Sequence, residues 1–246
     1  MAGPIKTQGI RLMLLPGMDG TGELFADFVN ALPQSFETVR VRYPTDRCLT
    51  YSELEDFVLA ACSVSEPFML IAESFSTPLA ITFAATNPFG LAGVILCAGF
   101  ATSPVKGWRR FLGALLAPLL FRVPLSNLAT RVWLLGKDAP SLLVAAVQLA
   151  VSSVRPEVLA GRLRALLGCD VQRELGQITV PVLYLQAKQD HLVSASCLQV
   201  IRWCKPDITV TALEGPHLLL QRHPLRAAEV VVEFARRVLQ EPATLT

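Results

Sequence analysis

Three polar side chains each follow directly on an apolar run. Ser74 comes after Phe68-Met69-Leu70-Ile71-Ala72, and Asp190 after Val182-Leu183-Tyr184-Leu185-Gln186. His217 comes after Ile208-Thr209-Val210-Thr211-Ala212-Leu213 and the turn Glu214-Gly215-Pro216. A hydroxyl, a carboxylate and an imidazole together can do nucleophilic chemistry. The neutral imidazole takes the serine proton, and the carboxylate fixes the ring tautomer and stabilises its cation. The chain has three histidines. His191 directly follows Asp190, and His223 precedes Pro224 at a helix start, where a surface role is the plainer reading. That leaves His217 as the base. Ser76 is the rival hydroxyl. A lone serine after a strand is usually a helix cap, and Asp190 could equally cap a helix starting near Ser194. Asp170 and Asp138 are the other carboxylates that could orient the imidazole.

The elements that must hold these groups show in the pattern of apolar runs. Strands are expected at 10–15, 38–43, 68–72, 91–98, 180–186 and 208–213. Helical spacing falls between them, at 23–32, 51–62 (capped by Thr50 or Ser52), 75–86, 195–203 and 224–239. Strands that are apolar throughout and alternate with helices predict an α/β protein with a mainly parallel sheet covered on both faces. Such sheets place ligands at the carboxyl ends of their strands, where Ser74, Asp190 and His217 fall. From about 104 to 175 no strand pattern appears. That stretch reads as several helices punctuated by Pro118, Pro124, Pro140 and Pro156.

Around Ser74 the residues are Ala72-Glu73-Ser74-Phe75-Ser76, a small-x-Ser-x-small turn between strand and helix. After the first strand comes Leu15-Pro16-Gly17-Met18-Asp19-Gly20. With the order Ser, Asp, His, these residues resemble the α/β-hydrolase fold superfamily, specifically its serine esterase and lipase-like members, over essentially the whole chain. The elbow here has Ala and Ser where glycines are usual, and Pro16 stands where the oxyanion loop often has histidine. The resemblance implies a catalytic triad of Ser74, Asp190 and His217, with the backbone N–H groups of Met18 and Phe75 forming the oxyanion hole. It also implies a core of residues 1–103 and 176–246 with a helical cap, or lid, at 104–175. Met18, Trp108, Phe111, Phe121 and Trp133 are expected to line the substrate pocket. Phe75 is read as a pocket wall too, and Glu73 either as a buried partner of a backbone amide, the plainer reading, or as a group that tunes the site.

Composition narrows the function classes. The chain has 246 residues, 52% of them hydrophobic and 17% charged, with a formal net charge of +2. No basic stripe is present, so nucleic acid is not an expected partner. The six cysteines form no C-x-x-C pair and read as buried apolar fillers. No metal or cofactor is implied. Residues 1–6 lack a signal-peptide core, which makes a cytoplasmic location the default expectation. The uncharged runs 111–121 and 139–154 are shorter than the roughly 20 apolar residues of a spanning helix, and are expected to be buried or pocket-lining. The expected activity is a carboxylesterase-type cleavage of small-molecule esters with short to medium apolar acyl groups, through an acyl-enzyme. Alternatives on the same triad are a thioesterase, another acylhydrolase or a carbon–carbon bond hydrolase. A non-catalytic ligand-binding or scaffold protein of the same fold is a rival of another class, and membrane-surface anchoring through the lid is a third reading, resting on composition alone.

Overall fold

Among the described residues the apolar runs form six strands: β1 (Arg11–Leu15), β2 (Glu37–Arg40), β3 (Phe68–Glu73), β4 (Leu91–Cys97), β5 (Val182–Ala187) and β6 (Thr209–Leu213). The structure, a computed structural model, describes residues 11–62 and 67–240. Ile10 of the first expected strand and the N-terminal residues read for a signal peptide lie outside them. The helices are α1 (Ala26–Ala31), α2 (Tyr51–Ala61), α3 (Thr77–Ala85), α4 (Trp108–Leu120), α5 (Asn127–Ala129), α6 (Ser141–Ser152), α7 (Pro156–Gly168), α8 (Gln172–Gln177), α9 (Ala195–Cys204), α10 (Leu219–Arg222) and α11 (Pro224–Gln240).

All strand pairings are parallel, in the order β2-β1-β3-β4-β5-β6. The chain leaves β1 toward β2 on one side and then returns to place β3 on the other. A parallel sheet opens a crevice at such a switch point, beyond the carboxyl ends of the two strands. The loop after β1 and the turn after β3 therefore face each other across it. Alternate side chains along each strand feed two cores. Met13, Leu15, Leu70, Ala72, Val94, Leu96 and Tyr184 point to one face, against α3. Leu12, Leu14, Met69, Ile71, Ile95 and Leu183 point to the other, against Phe28 of α1 and Val231 and Phe234 of α11. Helix α2 starts at a capping box in which Thr50 and Glu53 each satisfy the other's backbone N–H, so Thr50 is the cap.

Residues 104–175 contain no strand among those described, and an isolated bridge between Thr102 and Asp170 closes their base. Pro140 precedes α6 and Pro156 opens α7, both favourable places for proline. Pro118 lies inside α4, where its ring removes the hydrogen bond to the Ala114 carbonyl. The Arg164 Nε–H of α7 donates to that carbonyl at 3.2 Å, so the gap is filled from outside the helix. Helix α4 leans on α7 through a strip of small residues, Gly113, Ala114 and Ala117. A Cβ on Gly113 would sit 3.2 Å from Leu167. The expectation that run 111–121 is buried therefore fails: only this strip is covered, and the leucines around it stand in solvent. No described helix is long and apolar enough to cross a membrane; α6 and α7 approach that length only together, and they meet at 94°.

Candidate active site

Ser74 sits at the tip of a tight strand-to-helix turn with φ of 49°, in the left-handed region that non-glycine residues avoid. Such a backbone costs on the order of 1–3 kcal/mol and persists only where its surroundings over-determine it. They do so here. The Thr77 hydroxyl donates to the Ser74 carbonyl at 2.8 Å. The Tyr51 hydroxyl donates to the Phe75 carbonyl at 2.8 Å, and the two rings stack with centroids 4.9 Å apart. Gly99 lets the strand β4 exit pass against Thr77; a Cβ there would lie 2.4 Å from Thr77 Cγ2. Phe75 is fully buried among these aromatics, which makes it a core residue, not the pocket wall expected from sequence.

The loops after β5 and β6 bring the other two groups to this turn. The Gln189 N–H donates to the Gly215 carbonyl at 2.9 Å, tying one loop to the other. His217 Nε2 lies 2.8 Å from Ser74 Oγ, and its Nδ1 lies 2.7 Å from Asp190 Oδ2. Asp190 divides its oxygens between two tasks. Oδ1 accepts from the N–H groups of Leu192 and Val193 at 2.7 and 2.9 Å, bracing its own turn, while Oδ2 meets the imidazole. The helix-capping role weighed from sequence is not what is seen: the N-cap of α9 is Ser194, with no side-chain cap, and Asp190 braces only its own turn while meeting His217. Both side chains are almost wholly buried. His191 is exposed with its ring edge-on to Trp133, and His223 is half-buried at the start of α11.

The loop after β1 closes the site from the other side. The Ser76 hydroxyl, fully buried, donates to the Pro16 carbonyl and accepts from the Tyr43 hydroxyl at 2.7 Å. Ser76 is thus spent on joining the serine turn to this loop. Asp19 folds the loop on itself by accepting from the Thr21 N–H at 2.9 Å, and the Gly20 N–H donates to the Gly17 carbonyl. Arg162 of α7 reaches across to it. Its guanidinium donates to the carbonyls of Met18 and Asp19, both at 2.8 Å, and of Pro44 at 2.9 Å. With these carbonyls turned toward Arg162, the Met18 N–H donates to no group among the described residues and is available to a ligand. Nothing in the sequence singled out Arg162, because its partners are backbone atoms far along the chain.

Glu73, beside Ser74, is buried beneath the loop. Its Oε2 accepts from Gln221 Nε2 at 3.1 Å, a side-chain partner and not the backbone amide expected; Oε1 is buried without one. Burial pushes its carboxyl up to about 7, against the opposing influence of His217 and the Gln221 hydrogen bond.

The expected pocket residues separate into two groups. Met18 and Phe121 pack against Val154, Val158 and Leu159, an apolar wall next to the β1 loop. Trp108 and Phe111 are 69% and 64% exposed on the far side of α4 from its α7 contact. Trp133 is half-exposed against His191. Cys48 also departs from expectation: it is exposed, its thiol donating to the Glu157 carbonyl. Among the described residues no group of three His, Cys, Asp or Glu side chains is placed to hold a metal.

Comparison with known proteins agrees with the architecture. A search of curated protein sequences finds no significant match. Among solved structures, a thermophilic esterase from Thermogutta terrifontis superposes with a TM-score of 0.78 at 18% identity, covering 94% of this chain and 91% of that one. The enol-lactonase from Burkholderia xenovorans LB400 gives 0.74 at 17% identity, covering 97% and 94%. MenH from S. aureus gives 0.76 at 12% identity, covering 98% of each. At these identities the likeness concerns the fold. The family model described as serine aminopeptidase, S33, matches residues 51–215, more than half of the chain and a span that includes Ser74 and Asp190. The chain therefore belongs to the serine aminopeptidase S33 family, within the α/β-hydrolase superfamily of hydrolytic enzymes.

Proposed function

We propose that the protein is a serine hydrolase of carboxylic esters in which Ser74, His217 and Asp190 act as the triad. The observation that carries this reading is the contact chain Ser74 Oγ, His217 Nε2, His217 Nδ1, Asp190 Oδ2, with links of 2.8 and 2.7 Å, built on a serine held at φ 49°. Ser74 Oγ attacks the ester carbonyl while Nε2 takes its proton, and the Nδ1–H donates to Asp190 as the ring becomes cationic. The carbonyl oxygen gains negative charge and is held by the N–H groups of Met18 and Phe75. Collapse expels the alcohol with the proton from Nε2. Water, deprotonated by the same nitrogen, then releases the acid and restores Ser74.

The wall of Met18, Phe121, Val154, Val158 and Leu159 suits an uncharged acyl group of short to medium length, and residues 104–175 serve as the cap that carries most of it. A peptide substrate with a free amino end would need a carboxylate to receive its ammonium. The wall of Met18, Phe121, Val154, Val158 and Leu159 offers none from its own side chains, which favours the ester over the activity in the family's name. The test is labelling with a fluorophosphonate followed by peptide mapping, together with turnover of p-nitrophenyl, thioester and aminoacyl-anilide substrates. Modification of Ser74 with ester turnover is the expected result. Unlabelled Ser74, or turnover of anilides alone, overturns the reading.

A further inference from the structure

The outer side of α4 has no partner among the described residues. Trp108, Phe111, Leu112, Leu115, Leu116, Leu119 and Leu120 are all exposed, Leu115 to 74% and Leu119 to 60%. Their spacing of three and four residues places them in one stripe, opposite the Gly113, Ala114 and Ala117 strip that touches α7. Val123 and Leu128, a few residues further along the chain, are exposed as well. A contiguous apolar surface of this kind on a folded domain marks a contact site.

Its charge says with what. From Ser74 through Lys137 the chain has no Asp or Glu; every charged residue there is a cation. The whole chain carries only +2, so this segment is strongly basic while the remainder is net acidic. Lys106, Arg109, Arg110 and Arg122 flank the stripe at both ends, are exposed, and take part in no ion pair among the described residues. Arg110 lies over the Phe111 ring at 4.7 Å, so a cation and an apolar anchor are presented together. A second copy of the chain is a poor occupant, because pairing this face with itself sets only cations against cations. A protein partner would need pockets for anchoring side chains, and a single convex helix face offers none. A bilayer needs no pockets, accepts a continuous row of leucines with a tryptophan at one end, and supplies phosphates to guanidinium groups.

We propose that α4 is an interfacial helix that seats the protein on anionic lipid surfaces, with its leucine stripe in the acyl boundary and Lys106, Arg109, Arg110 and Arg122 at the headgroups. This is independent of the catalytic reading and concerns binding alone. The test is co-sedimentation of the full chain with vesicles of phosphatidylcholine, with and without phosphatidylglycerol, at low and high salt. Binding is expected to the anionic vesicles, to fall with salt, and to persist in Ser74→Ala. Leu115→Glu with Leu119→Glu should reduce partitioning more than about tenfold while leaving the thermal melt unchanged, since both side chains stand in solvent. Arg109→Gln with Arg110→Gln should weaken it by about tenfold or more on anionic vesicles and have little effect on neutral ones. No binding to either vesicle, or binding indifferent to both double variants, refutes the proposal. So does concentration-dependent dimerisation that the leucine variants abolish without any vesicle binding. That outcome would assign the face to a second copy.

Discussion

Arg162 offers the sharpest test of how α7 and the β1 loop cooperate. Its side chain is almost wholly buried, and its guanidinium supplies the donors for the carbonyls of Met18, Asp19 and Pro44. Burial lowers its pKa, opposed by the nearby carboxylate of Asp19, yet a guanidinium stays charged throughout the working range. Arg162→Met keeps most of the stem and removes all three hydrogen bonds. Each abandoned carbonyl costs about 1–3 kcal/mol, offset in part because a buried charge is no longer desolvated, so a net loss of about 3 kcal/mol in stability is expected. The effect on catalysis is larger in kind. Releasing the Met18 and Asp19 carbonyls frees the two peptides that follow Met18, which lets the loop shift and takes the Met18 N–H, one peptide earlier, off the proposed oxyanion position. Loss of one such donor lowers kcat by about 10²–10³ with KM little changed, because the interaction is made mainly in the transition state. Arg162→Lys should fall between, since one ammonium cannot satisfy three carbonyls spread around a planar fork. Urea melts measure the first effect, and steady-state kinetics on p-nitrophenyl esters below the melting range measure the second. If Arg162→Met keeps kcat within about twofold, the loop is held by Asp19 and the Gly17–Gly20 turn alone, and the reasoning is wrong.

Asp190→Asn should lower kcat by on the order of 10³–10⁴ with little change in stability, because Asn Oδ1 can still accept from Leu192 and Val193 while its amide no longer orients the imidazole; a melt with kinetics separates the two. Glu73→Gln tests the buried carboxyl. With a folded pKa of about 7 against an unfolded value near 4.5, the native state holds its proton longer than the unfolded chain. The associated stability is present below about pH 4.5 and is lost as pH rises through 7, in all about 3 kcal/mol. The glutamine variant should therefore gain on the parent by about that amount between acid and pH 8 in denaturant melts, and parallel pH profiles would refute the assignment. Gly99→Ala forces a Cβ to within 2.4 Å of Thr77 Cγ2, and should cost about 1–3 kcal/mol while slowing ester turnover by loosening the Ser74 turn; an unchanged kcat would show that the turn holds without Thr77.

Much of the architecture was legible in the chain alone, for local reasons. Apolar runs such as Phe68–Ala72 and Val182–Gln186 are too uniformly hydrophobic for a half-exposed sheet, so they had to be central parallel strands. Once they are, the loops after them lie at one edge, and the residue types there made Ser74, Asp190 and His217 the leading candidates, with Ser76, Asp138 and Asp170 left as alternatives. The left-handed backbone at Ser74 could be suspected from the small residues flanking it. Boundaries were less secure: the helix expected at 75–86 begins as a 3-10 turn at Ser74–Ser76, and the strand expected at 38–43 is only Glu37–Arg40. Hydrophobic pattern reports burial along an element, not where its backbone geometry changes.

Contacts between distant parts of the chain belonged to the tertiary structure alone. Arg162 reads as an ordinary charged position on a helix; its role appears only when α7 is laid across the β1 loop, more than 140 residues earlier in the chain. Glu73 meets Gln221, and Ser76 joins Tyr43 to Pro16, by the same kind of long-range packing. The apolar run in α4 marks the limit most plainly. Composition says that Trp108, Phe111 and the leucines will leave water if a surface is offered, but not whether the fold offers one. Here α7 covers only the small residues of α4, and the large ones remain outside. Hydrophobicity belongs to a side chain and is written in the sequence, whereas burial belongs to a pair of surfaces and exists only once both have been placed.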